Sequence, residues 1–68
     1  MVFATICNRL SRRQMTVLSH IVAGEQVKET GRKLHISPRT VEAHRVAIRE
    51  KLGARNVADI IRIALRGA

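Results

Sequence analysis

The sequence predicts an all-α domain of four short helices. Three observations carry that expectation. Strand signals are weak: there is no Asn-Gly or Asp-Gly hairpin and no sustained alternation of apolar and polar residues. Apolar residues instead recur at three- and four-residue steps in successive segments. Cap residues fall where those segments begin and end, with Ser11, Ser37 and Asn56 at starts and Gly24 and Gly53 at stops.

The first helix is expected to begin after Ser11. Ser11 and Gln14 have the S-x-x-Q spacing of a capping box, in which hydroxyl and amide each satisfy an orphan backbone N–H. Leu10 lies just before the cap and can staple to Met15. Met15, Leu18, Ile21 and Val22 then form one apolar face, and Gly24 is a natural stop. The second helix, Val27 to Leu34, is the weakest. It is polar between its two end residues and contains Gly31, which costs about 1 kcal/mol relative to Ala but lets another segment approach closely. Gln26 is a poor cap for it. His35 and Ile36 form a short turn, and His is one of the non-glycine residues enriched at positive φ.

The third helix takes Ser37 as cap and Pro38 at its first position, where a missing N–H costs nothing, and runs to Leu52. Val41, Ile48 and Leu52 share one side, with His44 and Arg45 at its margins. At ~100° per residue the opposite side carries Arg39, Ala43, Val46, Ala47 and Glu50, with Glu42 at its edge. The fourth helix is capped by Asn56, with Asp59 near its positive end. Val57, Ala58, Ile60, Ile61, Ile63, Ala64 and Leu65 cover an arc of roughly 220°, more than one core face needs, leaving Asp59, Arg62 and Arg66 as the polar side.

The chain has 68 residues, enough for one small domain, read as residues 10–68 behind a linker or lead-in at residues 1–9. With Phe3 the single aromatic, the core must be aliphatic. Cys7 is alone, so no intramolecular disulfide can form, which fits a reducing cytoplasm. No apolar run approaches the ~18 residues of a membrane span, and the first ten residues are too interrupted for a signal peptide. The formal charge is +8. Lys28 to Lys51 holds seven Lys/Arg against three Glu, and the rest of the chain six against two, so the excess is shared equally between them. Such a surface favours an anionic partner. Well-capped helices argue for a defined globule over a membrane-surface peptide.

A tight helix–turn–helix in a basic protein points to the DNA major groove. The residues also carry a resemblance. Leu10, Ser11, Arg13, Gln14, Val17 and Leu18 match an L-T-x-R-E-x-x-V-L opening. Lys28, Glu29, Leu34, Ile36, Ser37, Thr40, Val41, His44, Ile48, Lys51 and Leu52 match N-K-E-I-A-x-x-L-x-I-S-x-x-T-V-x-x-H-x-x-x-I-x-x-K-L. From about Leu10 to Gly67 the chain resembles the LuxR/FixJ (NarL-type) DNA-binding domain, and "SPRTVEAHR" is especially FixJ-like. The resemblance implies a four-helix LuxR-type domain whose helix-turn-helix motif spans Val27 to Val46. It implies transcriptional regulation in a bacterial cytoplasm, as the effector domain of a two-component response regulator.

Three departures from the pattern stand out. Its first-helix Glu, commonly paired with a recognition-helix Arg at the position of Arg45, is Gln14; its Asn is Val27; and its Ile-Ala is Thr30-Gly31, expected to loosen the second helix.

By that resemblance the base-reading residues are Arg39, Glu42, Ala43 and Val46, with Ala47 nearby. Ala43 and Val46 can touch a thymine methyl, Arg39 can read guanine or clamp a phosphate, and Glu42 can accept from a cytosine amino group. Glu42 can equally brace Arg39 or Arg45, each three residues away. Phosphate contacts fall to Lys28, Thr40, His44, Arg45, Arg49 and Lys51, with solvated surface charge as the plain alternative. The family dimerises through its last helix, here Val57, Ile60, Ile63 and Ala64, which would set two reading helices about one DNA turn apart.

The partners implied are double-stranded DNA, a second copy, RNA polymerase and an N-terminal receiver domain. The competing reading is a protein-interaction module of the same fold contacting RNA polymerase or a receiver. No cofactor or metal is expected, because Cys7, His20, His35 and His44 fit no zinc spacing. No enzyme is expected either, because no phosphate loop, nucleophile elbow or paired carboxylates appear.

Overall fold

A computed structural model describes residues 10–66. The expected lead-in at residues 1–9, and Cys7 with it, lies outside the described residues. Four helices follow in order: α1 (Arg12–Val22), α2 (Val27–Leu34), α3 (Pro38–Leu52) and α4 (Val57–Arg66). No strand occurs among the described residues. The architecture is the all-α, four-helix one expected.

Three of the four helices start at a side-chain cap. At α1 the Ser11 Oγ accepts from the Gln14 N–H at 3.1 Å, and the Ser11 N–H donates to Gln14 Oε1 at 3.0 Å, a complete capping box. At α3 the Ser37 Oγ accepts from the Thr40 N–H at 3.1 Å, with Pro38 in the first turn. At α4 the Asn56 Oδ1 accepts from the Asp59 N–H at 2.8 Å. Helix α2 alone of these begins with no side-chain cap, at Gln26.

The ends of α1, α2 and α3 are also alike, with one exception in residue type. The chain leaves α1 through Gly24 at φ 82° and α3 through Gly53 at φ 68°. It leaves α2 through His35 at φ 59°. There the Ile36 N–H reaches back to the Gly31 carbonyl at 3.0 Å, closing the turn in the manner of a Schellman motif. Gly31 is what permits the closeness: a Cβ at that position would lie 2.7 Å from the Ile36 carbonyl oxygen. The anticipated loosening of α2 does not shorten it, for it runs its full expected span.

Helix α3 is central. It packs on α1, α2 and α4, and α1 also meets α4. The core holds Leu10, Val17, Leu18, Ile21, Val41, Ile48, Leu52, Ile60 and Ala64. Burying an aliphatic side chain of this kind contributes about 1.5–3 kcal/mol, so α3's three members anchor it firmly. Val17, fully buried, was not part of the apolar face drawn for α1, whereas Met15 and Val22 pack only partly.

Helix α4 corrects two expectations. Asp59, placed on the polar side, is buried at 9% exposure. Its Oδ2 accepts from the Arg55 backbone N–H at 3.0 Å and Arg55 Nε at 3.2 Å, and its Oδ1 from Arg62 Nη2 at 2.8 Å. The Arg62 guanidinium, with both Arg55 donors, holds the Asp59 carboxyl far below the usual aspartate range. Second, Ile60 and Ala64, assigned to a dimer face, are used in the domain's own core at 1% and 0% exposure. The apolar arc is wider than one core face, so periodicity could not say which part of it turns inward. Val57 and Ile63 are half-buried, and the exposed large apolar residue of α4 is Leu65.

Candidate nucleic-acid interface

The reading candidates sit where α3 turns away from the core. Arg39, Glu42, Ala43 and Val46 are all exposed, and Ala47 is half-buried beside them. They follow i, i+3, i+4, i+7 spacing, one stripe on a helix whose other side buries Val41, Ile48 and Leu52. The helix's cap fixes where that stripe begins. Its middle is low: Ala43 and Val46 present only methyl groups, framed by the longer Arg39 and Glu42.

Glu42 has one ion-pair contact, Arg45 Nε at 3.7 Å, too long for a hydrogen bond. Its side chain is 63% exposed. The brace to Arg45 is therefore loose, and the carboxylate remains open to a donor from outside.

The phosphate candidates divide by position. Lys28 is exposed in the first turn of α2, where free N–H groups add to its charge. Thr40 is exposed, with Oγ1 3.0 Å from Ser37 Oγ. His44, Arg45 and Arg49 are half-buried along the flanks of α3. Lys51 is exposed, and its Nζ donates to Gln14 Oε1 at 2.9 Å. The cross-domain partner of Gln14 is thus Lys51, not the Arg45 that the family pairing suggested. The amide is neutral, so this contact sets no negative charge beside Lys51. No spacing rule links residues on different helices, so this contact was not readable from the chain.

An open depression of about 500 Å³ lies between the start of α2 and the turn, lined by Gln26, Lys28, Glu29, Arg32, Ile36 and Pro38. Lys28 and Arg32 stand at its sides, with Ile36 and Pro38 supplying apolar surface. It reaches the first turn of α3 at Pro38. Arg32 is paired with Glu29, whose carboxyl that guanidinium holds below its ordinary range.

Sequence reasoning missed a second polar cluster. The Glu25 carboxylate is 17% exposed. It accepts from His20 Nδ1 at 2.7 Å, Thr30 Oγ1 at 3.2 Å and Lys33 Nζ. The Lys33 hydrogen bond, then that of His20, holds Glu25 below its usual value against partial desolvation. The available signal was Thr30 at a position where the family pattern has Ile. No group of three or more His, Cys, Asp or Glu able to hold a metal occurs among the described residues, and no described helix is long and apolar enough to cross a membrane.

A short helix, a three-residue turn and a capped helix presenting a solvent-facing stripe with basic flanks define a helix-turn-helix DNA-binding domain. The profile of bacterial regulatory proteins of the luxR family matches residues 8–64, and the chain belongs to that family. It is 44% identical over 59 residues to the transcriptional regulatory protein TdiR of Thauera aromatica, covering 87% of this chain and 26% of that protein. It is 45% identical over 58 residues to the transcriptional regulatory protein FixJ of Rhizobium meliloti, covering 85% and 28%. With the oxygen regulatory protein NreC of Staphylococcus aureus it shares 39% identity over 57 residues, covering 84% and 26%. The chain spans about a quarter of the length of these relatives. No solved structure gave a significant match.

Proposed function

We propose that this domain is the effector of a bacterial response regulator and that it binds a specific double-stranded DNA site with α3 in the major groove. The observation that carries this is the exposed stripe of Arg39, Glu42, Ala43 and Val46, opposite the buried Val41, Ile48 and Leu52. Methyl groups in the middle of the stripe let the helix sit deep against base edges, and Arg39 and Glu42 supply donor and acceptor at its rim. Lys28, Arg45, Arg49 and Lys51 would neutralise phosphates on either side, with Thr40 and His44 as hydrogen-bond donors to them.

A near-palindromic site would be occupied by two copies. Their contact is proposed at the accessible apolar atoms of α4, Val57, Ile63 and the 64%-exposed Leu65. In a longer chain a receiver domain would control that pairing, and RNA polymerase would be the partner at a promoter. The compartment is the bacterial cytoplasm.

The test is site selection from random duplexes, followed by affinity measurements from low to moderate salt. Binding should weaken steeply with salt, since each neutralised phosphate releases counterion. Failure to retain any duplex at low salt would refute the reading. Replacing Ala43 by Trp should abolish preference for the selected duplex while leaving helical circular dichroism intact. Loss of the helical signal would mean that position 43 supports the fold instead.

A further inference from the structure

We propose that Glu25, an acidic residue outside the reading helix, is a positioning residue for DNA binding, holding α2 in place through His20, Thr30 and Lys33. The inference rests on the DNA-binding reading and adds to it a residue that neither charge nor helical spacing selects.

Helix α2 is held by less than its neighbours: Val27 and Leu34 pack only partly against the core. It has eight residues, no side-chain cap and an internal Gly31, and the residues it buries are Thr30 and Gly31. Its principal packing is against α3. What ties it to α1 is Glu25, in the connection between them. Oε1 accepts from His20 Nδ1 in the last turn of α1 at 2.7 Å and from Thr30 Oγ1 in the middle of α2 at 3.2 Å. Oε2 accepts from Lys33 Nζ, one turn further along α2. Thr30 is 3% exposed, so its hydroxyl needs a protein partner, and it finds Glu25 and the Gln26 carbonyl at 3.1 Å. A carboxylate with three donors spread over two helices fixes both the distance and the rotation of α2. The residue so aimed is Lys28, one position into α2, together with the uncapped N–H groups beside it.

Electrostatics alone gives the opposite expectation. An acid in a basic DNA-binding domain repels phosphate, so neutralising it should tighten binding. Glu25→Gln therefore separates the two by sign.

The experiment is fluorescence anisotropy with the duplex selected by the wild-type domain, at fixed salt, with a circular-dichroism melt of each variant. Glu25→Gln is expected to bind about threefold to tenfold more weakly despite the added unit of net charge. Glu25→Asp keeps the charge but shortens the reach, and should weaken binding in the same direction. Lys28→Ala should cost less in the Glu25→Gln background than in wild type, because Lys28 is no longer aimed; a merely stabilising residue would leave the two effects additive. If Glu25→Gln is unfolded at the assay temperature, Glu25→Asp and Thr30→Val carry the measurement, with the same weakening and the same coupling to Lys28 expected. Equal or tighter binding by the folded variants, or additivity with Lys28→Ala, overturns the inference alone. Absence of wild-type binding to any duplex overturns the functional reading and this inference with it.

Discussion

The two helices of the helix-turn-helix are built on opposite terms. Helix α3 has fifteen residues, a hydroxyl cap, a proline in its first turn, a glycine at its end and three buried aliphatic side chains. Helix α2 has eight residues, an uncapped start, a glycine in its interior and a histidine at positive φ where α1 and α3 are followed by glycine. Helix α3 is specified by its own residues; its neighbour is specified by what surrounds it. The difference teaches that a binding motif can divide labour, with one rigid element to read and one dependent element whose pose the rest of the domain sets.

The comparison can be broken most severely at the core of α3. Ile48→Ala removes a fully buried side chain, and should cost about 2–5 kcal/mol, enough to leave so small a domain largely unfolded in a urea titration at 25 °C. The next largest effect is expected in α2. Gly31→Ala gains about 1 kcal/mol of helix propensity. It also sets a Cβ 2.7 Å from the Ile36 carbonyl oxygen, backbone that cannot swing aside. Overpacking of this kind costs about 1–3 kcal/mol. The net expectation is a lower denaturation midpoint, and unchanged or raised stability would show that the turn yields easily.

The caps sharpen the contrast. Ser37→Ala should lower stability by about 1 kcal/mol, whereas Gln26→Asp, supplying the missing cap to α2, should raise it by a similar or smaller amount in the same thermal melts.

The smallest expected effect is that of pH. Glu25 and Glu29 both have carboxyls held below the ordinary glutamate value of 4.5 by their cationic partners. Their contribution is complete above that value and is lost as pH falls through the lower folded-state values. Amide exchange followed from pH 6 down to about pH 3 should therefore show α2 losing protection before the middle of α3 does. Simultaneous loss along both helices would mean that the glutamates act on the domain as a whole.

The same contrast explains what the sequence made legible. Four helix positions, their caps and the exposed stripe of α3 were visible because periodicity and cap chemistry are local. Ser37-Pro38 and Gly53 bracket α3, and Val41, Ile48 and Leu52 fall on one side by spacing alone. His35 was readable as a left-handed turn residue for the same reason. What was not legible depended on contacts across the fold. Asp59 reads as a surface residue until Arg55 and Arg62 are seen to cover it. Ile60 and Ala64 read as spare apolar surface until α1 and α3 are seen to take them. The Glu25 cluster joins residues five and eight positions apart through a loop, a spacing that no helical or strand period anticipates.

The contact between Lys51 and Gln14 spans 37 residues of sequence, while most of the fold is made of turns and near neighbours. Helical domains rich in local contacts fold in microseconds to milliseconds, and contacts that close long loops carry the larger entropy cost. This contact is accordingly expected to form late, after the helices exist. The last turn of α3 would be pinned only when the first turn of α1 docks beside it, so that Gln14 ties the opening capping box to the far end of α3.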